Sequence, residues 1–255
     1  MDHPLDISDP ALVAQVLSGR DHLARLRAME CVDASAAPEV VRLLLDDGRP
    51  NAQACACRLI GKHRLVPHLD VVARLVRPGR AVRVLKAAVV CLGALGAAEH
   101  AKVLLPLLDH DNAMLRRAVV ETLGRIGAGH PPLIRALADP SWEVRMYAAI
   151  GLGACTGQLE AHEALVVAVD TEAHAATAEQ MVRAVAEVAC DGAAVALCGW
   201  LDSAGQLSGV RRAAARGLGE LRQGEPSLLA ALGEVDSAVV EEASWALDQI
   251  RRAAQ

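Results

Sequence analysis

The sequence predicts an all-α protein, a right-handed α-α superhelix of about eight helix pairs, and three observations carry that reading. First, a helical signature recurs. Val144-Arg145-x-x-Ala148-Ala149-x-x-Leu152-Gly153 aligns position for position with Val210-Arg211-x-x-Ala214-Ala215-x-x-Leu218-Gly219, and Leu115-Arg116-x-x-Val119-Val120-x-x-Leu123-Gly124 follows the same template. Second, each copy follows a shorter apolar run and a polar turn. Third, the 53% apolar content comes from Ala, Leu and Val, with no Phe, one Tyr and three Trp. Closely packed helices suit that profile, whereas a β-sandwich wants aromatic and β-branched residues in alternating runs.

In chain order, first helices are expected over 40–45, 71–76, 103–108, 133–137, 165–169, 195–201 and 228–232. Second helices are expected to end at Gly61, Gly93, Gly124, Gly153, Asp191, Gly219 and Asp248, with spacings of 32, 31, 29, 38, 28 and 29 residues. Turns such as Asp109 to Asn112, Asp139 to Ser141 and Asp236-Ser237 offer side-chain oxygens to the free amides of the second helix, with Pro140 expected in its first turn. The terminal glycine is expected to supply the left-handed residue that stops the helix. One helix pair cannot bury both of its faces, so neighbours must stack. The paired alanines, such as Ala148 and Ala214, let them approach. The repeats lie at about 10–36, 37–63, 67–97, 101–127, 131–156, 159–191, 193–222 and 226–252, read as one domain over 1–255.

The Val-Arg-x-x-Ala-Ala-x-x-Leu-Gly helix after an Asp-Pro turn resembles the HEAT repeats of the phycobilisome lyase type, from about residue 10 to 252. The resemblance implies second helices on a concave side. It also implies a ladder between repeats joining the turn Asp to the second-helix Arg: Asp139 with Arg145, Asp109 with Arg116, Asp202 with Arg211. Gln53, Leu85 and Val240 stand at the Arg position elsewhere and interrupt that ladder.

Charge is uneven along the chain. Residues 1–127 carry 17 Lys/Arg against 14 Asp/Glu, and residues 128–255 carry 9 against 17, giving +3 and −8. Between Arg58 and Lys86 eight cations face only Asp70, which reads either as a solvated face or as a docking surface for an acidic partner or phosphate. The start has no basic segment followed by an apolar one, and no apolar run is long enough to span a membrane, so a cytoplasmic location is expected. The seven cysteines read as reduced, buried small hydrophobes rather than metal ligands, because Cys55 and Cys57 point about 200° apart on a helix.

If second helices line the concave side, the positions three, six and seven before each terminal residue form its surface. Lys86, Arg117 and Glu121 then make a charged zone, Met146, Tyr147, Ile150, Val185 and Val188 an apolar middle walled by Trp142, and Arg212 with Arg216 a second charged zone. An apolar strip rimmed by charge suits a helix or extended segment of a protein partner, or a small hydrophobic ligand. A rotation by one residue would instead put the strip in the core. No cofactor is implied.

Catalytic signatures are scarce. His162-Glu163 is the one His-Glu dipeptide, whereas the architecturally similar deoxyhypusine hydroxylases hold two irons with several such pairs. The HEAT-like alkylpurine DNA glycosylases use a basic groove with aromatics. The acidic second half and scarce aromatics here argue against nucleic acid. The lyase relatives attach or detach a tetrapyrrole, usually with a partner subunit. That analogy would have Arg117 or Arg212 meet ligand carboxylates and Tyr147 or Glu121 handle a proton. A non-enzymatic scaffold is the leading expectation, with lyase or isomerase chemistry as the alternative.

Overall fold

The computed structural model describes residues 9–254, and every regular element among them is helical. The helices form two compact units, one running up to Ala128 and one from Gly129 onward. The first contains α1 (Pro10–Ser18), α2 (His22–Cys31), α3 (Ala37–Asp47), α4 (Pro50–Lys62), α5 (Leu69–Leu75), α6 (Val82–Leu95), α7 (Ala101–Leu104) and α8 (Ala113–Arg125). The second contains α9 (Pro131–Ala136), α10 (Trp142–Gly153), α11 (Leu159–Thr171), α12 (Ala175–Val188), α13 (Ala193–Asp202), α14 (Ser208–Leu221), α15 (Glu225–Ala231) and α16 (Ser237–Ala253). Odd-numbered helices are the first members of their pairs and even-numbered helices the second. Short 3-10 turns lead into α5 and α7 and extend α7.

Second helices pack along one another, α4 on α6 and α6 on α8 in the first unit, α10 on α12, α12 on α14 and α14 on α16 in the second. The motif positions do the packing. Val144, Ala148, Ala149 and Leu152 are buried, as are Val210, Ala214, Ala215 and Leu218.

The motif glycine has a different task from the one expected. Gly61, Gly93, Gly153 and Gly219 have no left-handed φ. They sit at helix crossings: a Cβ on Gly219 would lie 2.7 Å from both Cα and Cβ of Ala246, and one on Gly93 would lie 3.0 Å from Thr122 Oγ1. The residue that turns the chain comes later, at Gly96 (φ 69°) after α6 and at Gly127 (φ 65°) after α8. A missing side chain is needed where two backbones meet, and the left-handed stop is a separate requirement.

Asn112 and Asp236 cap α8 and α16, accepting from Leu115 N at 3.0 Å and from Ala238 N at 3.1 Å. At α10 the expectation shifts by one position. Asp139 accepts the Ser141 amide at 2.8 Å, and that local turn leaves Pro140 before the helix instead of in its first turn.

The ladder arginines donate to backbone carbonyls ahead of their own helix, and Arg145 and Arg211 also meet a carboxylate further along the chain. Arg145 donates to the carbonyl of Asp139 at 2.8 Å and makes a two-pronged pair with Glu172 of the following turn, at 2.6 and 2.7 Å. Arg211 donates to the Leu201 carbonyl at 2.9 Å and pairs with Glu234. Arg116 donates to the His110 carbonyl at 2.8 Å. Asp202 accepts from Ser227 instead, at 3.0 Å. At Gln53 the polarity inverts: its side-chain oxygen accepts from Arg80, 27 residues later, at 3.2 Å. The link between repeats therefore persists there with donor and acceptor exchanged.

Candidate functional site

Packing sets the register of α12, and it differs from the one expected. Thr177, Met181, Val182, Val185 and Ala186 are buried in the same pattern as Val144, Ala148, Ala149, Leu152 and Gly153 of α10, with Ala178 at the place of the half-buried Arg145. Ala186 thus takes the place of the terminal glycine, not Asp191, and lies 33 residues from both Gly153 and Gly219, so the uneven 38 and 28 spacing disappears. Val185 and Val188 are each 0% exposed. They belong to the core, and the apolar strip is not five residues wide. The side chains equivalent to Met146, Tyr147 and Ile150 on α12 are Glu179, Gln180 and Arg183.

In the second unit, Met146 and Tyr147 of α10 are half-buried and Ile150 is 44% exposed. Trp142 opens the helix and stacks on His174, with ring centroids 4.1 Å apart. The helices beside it carry a charge network. Glu179 pairs with Arg183 at 2.5 Å and Arg212 at 3.3 Å. Arg216 pairs with Glu242 at 3.3 Å and lies 5.1 Å from the Trp245 ring centroid. Arg212 and Arg216 are thus engaged with this unit's own carboxylates, around an opening of about 420 Å³.

In the first unit, Glu121 is tied to Arg125 one turn on at 2.8 Å, and Arg117 is half-buried beside it on α8. Lys86 is different. With Arg58, Lys62 and Arg83 it rims a groove of about 510 Å³ between α4 and α6, whose floor is formed by Ala87, Val90, Cys91, Ala94, Cys57 and Gly61. Among the described residues no carboxylate lines it. Arg58 and Lys86 have no ion-pair partner among those residues, whereas Lys62 donates to the Met29 carbonyl at 2.9 Å and Arg83 to Asn51 Oδ1 at 2.6 Å. Val90 is 45% exposed and stands where neighbouring second helices carry Arg58 and Glu121. The groove was only half legible: the excess of cations was visible, but their meeting across an apolar floor depends on how α4 lies against α6.

The thiols in the floor are not reactive centres. Burial pushes both Cys57 and Cys91 up to about 12, so they stay protonated near neutrality. All seven cysteines are free, with Cys55, Cys57 and Cys91 buried as expected and Cys31 exposed. Among the described residues no three metal-ligating side chains converge, and no helix is long and apolar enough to cross a membrane. His162 of the His162-Glu163 pair is buried within α11, and burial lowers its pKa. Tyr147 belongs to the second unit and Glu121 to the first, so the two proton-handling candidates lie in separate units.

Comparison with known proteins agrees with this architecture. The model described as HEAT repeats matches residues 71–132, and that described as HEAT repeat matches residues 131–159. No curated protein matches the chain in sequence. Among solved structures, the chain is similar to the E. coli protein YibA, with 16% identity over 94% of this chain and 91% of that one and a TM-score of 0.69. It is also similar to importin beta, at 15% identity, 94% of this chain, 40% of that one and a TM-score of 0.66. Kap121p bound to Pho4p is similar at 13% identity, 98% of this chain, 34% of that one and a TM-score of 0.55. At these identities the likeness concerns the fold. With those matches over residues 71–159, small residues at the crossings of α4, α6, α10, α12 and α14 and arginines linking successive turns, the chain carries HEAT repeats and has the HEAT-repeat fold.

Proposed function

We propose that the chain is an interaction scaffold and that the α4–α6 groove, with Lys86 and Arg58 on its walls, is where a partner segment docks. One observation carries the reading: an apolar floor with an exposed valine lies between cations that have no carboxylate among the groove's described residues. An exposed apolar strip beside unneutralised charge is costly to leave unused and complementary to an acidic, amphipathic surface. The charged helices of the second unit satisfy one another, and within that unit the Met146, Tyr147 and Ile150 surface stops at Glu179, Gln180 and Arg183 of α12, which ranks it below the groove. The seven free thiols fit a reducing, cytoplasmic setting.

The test compares proteins captured by the native chain with those captured by Val90→Asp and by Ile150→Asp, each shown to be folded by circular dichroism. Partners should be lost with Val90→Asp and kept with Ile150→Asp. A folded Val90→Asp that keeps every partner rules out the groove. The reverse pattern would move the site to α10.

A second reading has its own support. A groove of about 510 Å³ with an apolar floor lies in the size range of small-ligand sites, so a hydrophobic carboxylate could occupy it. Native mass spectrometry of the purified protein would reveal such a ligand.

A further inference from the structure

The proposed groove also has a direction and a length, and these restrict its occupant. α4 and α6 run side by side in the same sense. Arg83 at the start of α6 reaches Asn51 at the start of α4, and Gly61 near the end of α4 lies against Cys91, where a Cβ would touch its Cα at 3.7 Å. Ten residues of α4 separate those two contacts, or about 15 Å of groove at helical rise. The cations do not converge on one point within it. Arg83 and Lys86 occupy the first turns of α6, while Arg58 and Lys62 occupy the last turns of α4. At the Arg83 end the groove meets a second opening of about 470 Å³, which Arg83 shares with Arg20 and with Arg49, the last of these already paired with Asp47 at 2.6 Å.

A single carboxylate would neutralise one of these cations and leave the others. A row of carboxylates one helical turn apart would meet them in succession while apolar side chains of the same segment covered Ala87, Val90 and Ala94. A nucleic acid offers the charge but wants aromatic platforms for its bases, and this floor is alanine, valine and cysteine. Resting on the scaffold reading, we infer that the groove's occupant is an acidic amphipathic helix of a protein partner, with carboxylates spaced along α4 and α6 and a leucine-like residue seated on Val90.

The probe is a labelled peptide of about 15 residues, long enough to hold a helix, with Leu on one face and Glu on both flanks. Two companions replace Glu by Gln or by Lys. Fluorescence anisotropy with the full chain at about 50 mM salt should show the Glu peptide binding at least about tenfold more tightly than the Gln peptide, with most of that advantage gone at about 500 mM. The double variant Arg58→Glu, Lys86→Glu, folded by circular dichroism, should weaken the Glu peptide at least about tenfold and strengthen the Lys peptide.

Four outcomes overturn the inference. They are equal binding of the Glu and Gln peptides, indifference of the Glu peptide to the charge reversal, tighter binding of oleate with displacement of the peptide, and an oligomer in sedimentation that the double variant returns to monomer. The last two put a small carboxylate or a second copy in the groove. If the peptides fail while captured partners are still lost with Val90→Asp, the scaffold reading stands and only the acidic helix falls.

Discussion

Two glycines that look alike in sequence behave oppositely because of what a methyl group would meet. A Cβ on Gly219 would sit 2.7 Å from the Ala246 backbone and 2.9 Å from the Trp245 ring, so α14 and α16 would have to separate. Gly199, inside α13, has nothing within 4 Å. Urea unfolding should therefore show Gly219→Ala destabilised by about 1–3 kcal/mol from overpacking. Gly199→Ala should be stabilised by about 0.5–1 kcal/mol, from the lower flexibility of the unfolded chain. Equal midpoints for the two variants would contradict the crossing.

His162 gives the residue scale a pH dependence. Burial lowers its pKa below the usual 6.5, against a smaller opposing pull from Glu163. The unfolded chain therefore takes up this proton first as pH falls. The stability from the neutral ring is complete above about pH 6.5 and declines below it until the folded imidazole is protonated. The urea midpoint of the native chain should drop between about pH 7 and pH 5 by more than that of His162→Gln. Parallel curves would show that the ring titrates alike in both states.

At the scale of the element, the turn between α11 and α12 is held by a charge pair that belongs to two repeats. The Glu172 side chain is 1% exposed and that of Arg145 is 19%. Burial pushes the Glu172 carboxyl up, but bonds from Arg145 and from the His174 amide outweigh that and leave it below its ordinary value. Removing the cation leaves a buried carboxylate without its main partner, whereas Glu172→Gln keeps an amide oxygen as acceptor for Arg145, whose guanidinium stays charged but is part-exposed and still bonded to the Asp139 and Pro140 carbonyls. Arg145→Ala should cost about 3 kcal/mol or more and Glu172→Gln distinctly less, measured by denaturant unfolding. Equal losses would mean that the pair acts only by packing.

For the whole molecule, charge divides between the units at +3 and −8. The positive unit has the cation-rimmed groove, yet the chain as a whole carries −5 and that groove has no aromatic residue among its described lining. Duplex DNA retarded in a gel at about 50 mM salt should be released by about 150 mM, because few phosphate contacts are available and counterions compete with them. A complex that persists at the higher salt would reassign the groove to nucleic acid.

The repeat, the helix pairs and the identity of the core alanines and leucines were legible in the sequence, because each motif position recurs with the period of its own helix. Where the motif degenerates, as in α12, sequence offered Cys190-Asp191 as the terminal pair and placed Val185 and Val188 at the surface. Burial moved the match to Val185-Ala186 and both valines into the core. The helix period cannot distinguish a core face from a solvent face rotated by one position, and only the neighbouring helix decides between them. The motif glycine likewise reads the same whether it ends a helix or admits a partner backbone. The sequence determined by itself that this chain is a series of paired helices, and it carried the cations between Arg58 and Lys86. The packing of α4 against α6 alone decided that Arg58, Lys62, Arg83 and Lys86 stand around one apolar floor, because residues some 30 positions apart become neighbours only when two helices are laid side by side.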